Sequence, residues 1–186
     1  MTFSNKELQH IRFDNNTVGN TPAKMLVLRM MNEVEGAGKL DALYKYHSKD
    51  FQDHWKVNRS GDLAGVEKFL AKFMASFSEW GAIIHSQKQQ TANPPEGQTF
   101  MVSTHKTVFA YHTGPFLGIK ASRNRVAVEL KDTFAIRQGT GWHSDRLWIT
   151  EHWCAKNDVL ETVIKQVAPP ALKPVYMGLG WMLRPR

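Results

Sequence analysis

The sequence predicts an α+β fold in which a curved antiparallel sheet wraps into a cone around N-terminal helices. Three observations predict it. Apolar residues keep helical spacing up to about residue 77, and alternate at strand spacing from 82 to 154. Short, turn-like connections separate the strands, so that helices come first and adjacent strands follow. The strand VAVELKDTFAIR, residues 126–137, turns Val126, Val128, Leu130, Phe134 and Ile136 to one side and sets a carboxylate, Asp132, among them. An unpaired charge on such a face is costly to bury. A cone closed on one side by helices has a pocket in its mouth, which gives that carboxylate a purpose.

The elements follow in chain order. Residues 1–20 are polar and broken by Asn15, Asn16, Gly19 and Asn20, and read as an arm or loop. Thr21 is an N-cap with Pro22 at the first helical position, and Val27, Met30, Met31 and Val34 hold helical spacing until Gly36 and Gly38. A second helix carries Leu40, Leu43, Tyr44 and His47 on one side. Asp62 caps a third, with the stripe Val66, Phe69, Leu70, Phe73 and Phe77. AIIHSQ is a short strand and TFMVSTHKTVFAYH a long one; residues 125–137 form the next, and RLWITEHWCA the last. TANPPEGQ is a turn by composition, and RQGTGWHSD is a long hairpin loop. Leu160, Val163, Ile164 and Val167 mark a closing amphipathic helix. Beyond Pro169 and Pro170 the tail holds Tyr176, Met177, Trp181 and Met182, and is expected to pack on the domain or on a partner subunit. The organisation is thus an arm (1–20), a single domain (21–168) and a tail (169–186).

Composition narrows the function classes. The chain has 186 residues and a net charge of +7, yet the basic residues are dispersed: twelve Lys/Arg against ten acids in residues 1–93, and twelve against seven in 94–186. Without a basic run or a basic stripe interleaved with aromatics, nucleic-acid binding is disfavoured and a solvated surface explains the charge. The single cysteine, Cys154, cannot form an intramolecular disulfide. No apolar run approaches the roughly 20 residues that span a bilayer, and the start has no apolar leader, so a cytoplasmic protein without membrane attachment is expected.

The chemistry-bearing residues favour proton transfer. If the strands containing Asp132 and Trp153 pair as a hairpin, the register that sets Asp132 against Trp153 also sets Phe134 against Glu151 and Ile136 against Ile149, all pointing inward. In an apolar pocket the Asp132 pKa is expected to rise unless a cation or several donors hold it. By the same parity His152 points outward, Cys154 is inert, and Arg137 faces away. The eight histidines show no zinc-ligand spacing, so no metal is expected. His112, at the end of a long strand, and His54, in FQDHW beside Trp55, are placed near the mouth of the cone. No Gly-x-Ser-x-Gly elbow or phosphate-cradling loop occurs, so acid/base chemistry outranks covalent catalysis.

GPFLGIKASRNRVAVELKDTFAIR followed by ITEHW resembles the SnoaL-like polyketide cyclases of the nuclear transport factor 2-like superfamily. The matching positions are His112, the run 116–119, Arg125 with Val126, Asp132 with Phe134, and Glu151, His152 and Trp153. Upstream, KLDALYKYHSKDFQDHW and DLAGVEKFLAKF are similar to that family's helix-to-loop segment, here with Phe51, Asp53 and His54, and to its third helix. The resemblance covers roughly residues 23–167 and implies a cone-shaped α+β barrel, usually dimeric. Its inward Asp acts as acid and base in an intramolecular aldol closure, with a nearby His assisting. The chain departs in a longer loop between the last two strands, in Lys120, Ala121 and Ser122 where Pro-Pro-Thr-Gly often stands, and in both termini.

These readings define an expected cofactor-independent cyclase, isomerase or lyase acting on a carbonyl-bearing, largely apolar small molecule, in a homodimer. Asp132 is the expected acid/base, and His112 and His54 orient or polarise oxygen. Trp153, Glu151, Phe134, Phe116 and Trp55 form the substrate site. The rivals are a dehydratase or hydrolase on the same fold and a non-catalytic binding or assembly module.

Overall fold

The computed structural model describes residues 8–13, 15–55, 60–90, 99–139, 146–155 and 158–174. The turn at 91–98, most of the loop at 137–145 and the tail beyond 174 lie outside the described residues. The elements are β1 (Ile11–Arg12), α1 (Pro22–Met30) running into a π-helical turn (Met31–Gly36), a 3-10 turn (Leu40–Ala42) leading into α2 (Leu43–Tyr46), β2 (His47–Asp53), α3 (Leu63–Ser76), β3 (Phe77–Gln90), β4 (Phe100–His112), β5 (Arg125–Gln138), β6 (Leu147–Cys154) and α4 (Val159–Val167). A curved, unclosed six-stranded sheet has the order β1-β3-β4-β5-β6-β2, so the fold is α+β as the sequence predicts.

Local chemistry explains the helix starts. Thr21 accepts the Lys24 N–H ahead of Pro22, and Asp62 accepts the Gly65 N–H at 2.8 Å. Each such cap contributes about 1 kcal/mol. The first helical stripe, Val27, Met30, Met31 and Val34, is buried throughout and meets β4, β5 and β6 through Val102, Phe134 and Ile149. A second apolar group joins Phe73 and Phe77 to Val126, Val128 and the buried face of α4.

Three expectations are corrected here. The second helix is a 3-10 turn and one α turn only, after which residues 47–53 become β2, parallel to β6. His47 and Phe51 are buried at alternating positions there, and helical and strand spacing coincide over so short a run. The first long strand begins at Phe77, directly after α3, five residues before the expected start at Ala82. Part of the expected arm enters the sheet as β1, parallel to β3.

One glycine is dictated by packing. The segment after β4 crosses the end of α3, where Thr113 and Gly114 N–H groups donate to the Ser76 carbonyl at 3.0 and 2.9 Å. A Cβ at Gly114 would stand 2.3 Å from the Ala75 carbonyl oxygen, a distance that no side chain tolerates.

The unpaired stretch of β5 is covered by α4. β6 ends at Cys154, opposite Asp132, and the Ala155 N–H still donates to the Lys131 carbonyl at 2.9 Å; among the described residues, 125–130 have no strand partner on that side. The Gln166 side-chain amide fills the gap, accepting from the Ala127 N–H and donating to the Ala127 carbonyl, both at 2.9 Å. This pairing occupies the edge at Ala127, where it would otherwise be open to another chain.

Candidate functional site

The site is built on the inner face of β4, β5 and β6. Along β4, alternation turns Val102, Thr104, Lys106, Val108 and Ala110 to one side, and Thr104 pairs with Asp132 of β5. Lys106 is therefore the diagonal neighbour of Asp132, within reach of a long side chain. Its ammonium lies 3.0 Å from Asp132 Oδ2 and 2.8 Å from Glu35 Oε2, Glu35 being supplied by the π-helical turn.

β6 completes the site through a bulge. The ladder pairs Ile136 with Ile149 but Ala135 with Glu151, so Thr150 is an extra residue on β6. Thr150 is buried, and its hydroxyl donates to the Ala135 carbonyl at 3.1 Å. Beyond it the parity of β6 is reversed: Phe134 faces His152 and Asp132 faces Cys154. The expected register, Asp132 against Trp153 and Phe134 against Glu151, is corrected accordingly. His152 and Cys154, expected outside, line the cavity.

His152 bridges two carboxylates. Its Nδ1 lies 2.9 Å from Asp53 Oδ1, at the end of β2, and its Nε2 lies 3.5 Å from Asp132 Oδ1. Asp53 Oδ1 also accepts the Trp55 N–H at 3.0 Å, which fixes that carboxylate. Charges thus alternate along a line: Glu35, Lys106, Asp132, His152, Asp53.

This arrangement sets the protonation states. Burial opposes the charges of Lys106, Asp132 and His152, but is outweighed. Lys106 and His152 hold the Asp132 carboxyl well below the usual range, and Asp132 and Glu35 hold the Lys106 ammonium above its own. Against burial, the carboxylates of Asp132 and Asp53 push His152 up to about 9. The expectation of a raised Asp132 pKa is therefore reversed, through the buried cation Lys106. His47, also on the cavity, is pushed down to about 4 chiefly by burial, and its neutral ring donates Nδ1–H to the Leu43 carbonyl at 2.8 Å.

The polar line occupies part of the wall of a cavity of about 140 Å³. Phe134, Trp55, Phe69, Phe73 and Trp80 give the rest of the wall an aromatic character, and Val159 and Val163 of α4 close one side. A void of about 150 Å³ accepts benzene, so this one suits a single ring or a compact planar group.

The residues singled out in the sequence divide into three groups. Asp132, Phe134 and Trp55 reach the cavity. His54, Glu151 and Trp153 come together on the opposite side of β6: His54 Nε2 lies 2.8 Å from Glu151 Oε2, and its ring stacks on Trp153 at 4.6 Å. His112 and Phe116 are buried behind the wall, each packed on Phe77. His112 stands eight residues along β4 from Thr104, the partner of Asp132, or about 26 Å at the rise of a strand. Its ring is held by the Ser122 N–H, which donates to Nδ1 at 3.2 Å, and burial lowers its pKa.

Sequence reasoning missed Lys106, Glu35, Asp53 and His152 as site residues. Lys106 carried the same signal as Asp132, a charge on an otherwise apolar strand face. Among the described residues no cluster of His, Cys, Asp and Glu has the geometry of a metal site, and no helix is long and apolar enough to cross a membrane.

Solved structures share this architecture. IdmH from Streptomyces antibioticus, a proposed polyketide cyclase, is 17% identical with a TM-score of 0.60, over 80% of this chain and 100% of that one. AclR from Streptomyces galilaeus, a proposed hydroxylase, is 20% identical with a TM-score of 0.55, over 86% and 92%. TsrD from Streptomyces laurentii is 16% identical with a TM-score of 0.56, over 78% and 94%. At such identities the likeness shows the fold, that of the nuclear transport factor 2-like proteins, and not the reaction. The comparison with curated proteins finds no match. The family model of the SnoaL-like polyketide cyclases matches residues 25–154, from α1 to the last residue of β6, and so takes in the whole polar line and both strands of the bulge. The chain belongs to the SnoaL-like polyketide cyclase family.

Proposed function

We propose that the protein is a cofactor-independent acid/base enzyme that removes a proton next to a carbonyl in a neutral, largely apolar small molecule, and so drives an aldol-type cyclisation or an isomerisation. The observation that carries this reading is the Asp132–His152 pair, an anion and a cation facing an aromatic cavity across a loose 3.5 Å contact. At neutral pH His152 carries the proton and Asp132 does not.

A substrate carbonyl entering between them takes over the His152 Nε2–H bond. Asp132 then loses one of its two cationic partners and gains proton affinity, while Lys106 keeps the carboxylate in place. Asp132 Oδ1 takes the proton from the α-carbon, the electron pair moves onto the carbonyl oxygen, and His152 donates to that oxygen. The enolate carbon attacks a second carbonyl of the same molecule, whose oxygen takes the proton back from Asp132, or Asp132 returns the proton to another carbon of the enolate system. Either way the carboxylate is regenerated. Asp53 remains on Nδ1 and keeps the imidazole charged and oriented. This reading moves the oxygen-polarising role expected of His112 and His54 to His152.

The test is deuterium exchange in D2O across a series of neutral aryl ketones and 1,3-diketones. The protein is expected to label the α-carbon of at least one, and Asp132→Asn and His152→Gln each to lose about 100-fold or more of the rate. Ketones that bind, by quenching of Trp55 and Trp80, without any enzyme-dependent exchange would point to a non-catalytic binding module.

A further inference from the structure

Glu35 belongs to no sequence motif, yet the fold delivers it to the hidden side of the site. The chain from Met31 to Gly36 is wound as a π-helix, a wider turn that is rare and recurs at functional sites. Within it Val34 is fully buried, Glu33 points out to Lys45 at 2.9 Å, and Glu35 points to Lys106 with both oxygens, at 3.0 and 2.8 Å. Lys106 and Asp132 are almost wholly buried, whereas the Glu35 side chain is 23% exposed. Glu35 is thus the most exposed member of the line of charges, ahead of His152 at 15%.

We propose that Glu35 is a positioning residue of this site, which through Lys106 fixes the Asp132 carboxylate and sets the electrostatic field that His152 meets. Its consequence for catalysis rests on the acid/base reading above; its consequence for His152 does not. With Glu35 in place, Lys106 divides its charge between two carboxylates. Without it, the whole ammonium charge falls on Asp132, which becomes a poorer base, and the site gains one net positive charge. The groups facing His152 are Asp53 and His47 of β2 and Asp132 of β5, with Lys106 of β4 behind Asp132.

The test compares Glu35→Gln with Glu33→Gln, a control in the same turn whose carboxylate meets Lys45 instead. His152 is titrated by NMR of histidine-labelled protein, with His152→Gln for assignment, and ketone α-deuteration is followed against pH. Glu35→Gln is expected to lower the His152 pKa by about half a unit or more and to shift the alkaline limb of the exchange profile down with it, while Glu33→Gln leaves both in place. Equal His152 titrations in the two variants would overturn the proposal. Should Glu35→Gln unfold, Glu35→Asp, which shortens the reach to Lys106, is read in the same way: a lowered value supports the role and an unmoved one overturns it. A His152 shift without exchange in the parent protein sinks the acid/base reading but not the role of Glu35. Exchange with an unmoved His152 does the opposite.

Discussion

Lys106 Nζ stands 3.0 Å from Asp132 Oδ2, and the two side chains are 2% and 5% exposed. Neither charge has water to fall back on, so each depends on the other. Lys106→Met leaves the buried Asp132 carboxylate with only the 3.5 Å contact to His152 as a cationic partner, and is expected to cost about 3–5 kcal/mol in urea unfolding. Lys106→Met combined with Asp132→Leu removes both charges and leaves Glu35 partly hydrated, so most of that loss should return. A double variant as unstable as the sum of its parts would mean that the two residues are not coupled.

His152 and His54 both meet a carboxylate, but their surroundings differ. The His54 side chain is 38% exposed and its contact with Glu151 lies on the face away from the cavity. An exposed pair of this kind is worth about 1 kcal/mol or less. His54→Gln is therefore expected to stay within about twofold of the parent in ketone exchange, in contrast to the loss in His152→Gln. Comparable losses in the two would place the chemistry on the outer face.

The fold was legible in the sequence because caps and periodicity are local. Thr21, Asp62 and the stripe from Val66 to Phe73 act where they stand, though Phe77, read as part of that stripe, opens β3 instead, and the alternation of β5 identified its inner face without knowledge of any partner strand. The site was legible only as far as that strand reached. Asp132 was found because its own neighbours are apolar; His152 was misplaced because one inserted residue, Thr150, reverses everything after it, and a bulge leaves no mark in the period. Glu151 offered one hint, since at an inward position it would have put a second carboxylate on the apolar face. Glu35 and Asp53 were out of reach, because only the three-dimensional fold brings the π-helical turn and the end of β2 to the same wall.

The bulge itself is testable. Thr150→Val keeps the shape but removes the hydroxyl that donates to the buried Ala135 carbonyl. A loss of about 0.5–1.5 kcal/mol is expected from removing that hydrogen bond. Deletion of Thr150 restores continuous pairing with Glu151 still opposite Ala135 and His152 still opposite Phe134, so His152 is expected to stay in the cavity. Urea unfolding of the first variant, and a His152 NMR pKa that stays raised in the second, check the two halves of the argument; a return towards about 6.5 would show that the register slips instead.

The cavity should select by charge and size. Lys106 and His152 are already matched by Glu35, Asp132 and Asp53, so a ligand carboxylate entering there finds no unclaimed cation. A neutral single-ring aryl ketone is expected to quench Trp55 and Trp80 at a concentration about tenfold or more below its carboxylate analogue. It should also slow alkylation of Cys154, which lines the same cavity. Tighter binding of the carboxylate would show that an unmatched positive field exists there.

Two histidines of the cavity wall bound the pH range of stability from opposite sides. His152 has a folded pKa of about 9, above its unfolded value, so its contribution is fully present below about 6.5 and is lost as pH rises through about 9. The shift corresponds to at most about 3 kcal/mol. His47 has a folded pKa of about 4, below its unfolded value, because its buried ring is held neutral. Its burden appears as pH falls below about 6.5, where the unfolded chain binds a proton that the folded one refuses, and grows until about pH 4. Stability should therefore peak near pH 6.5. In Tm measured against pH, His152→Gln is expected to flatten the alkaline limb and His47→Gln the acid limb between 4 and 6.5. An alkaline limb that survives in His152→Gln would mean that His152 is neutral in the folded protein, and the acid role assigned to it would fall with that result.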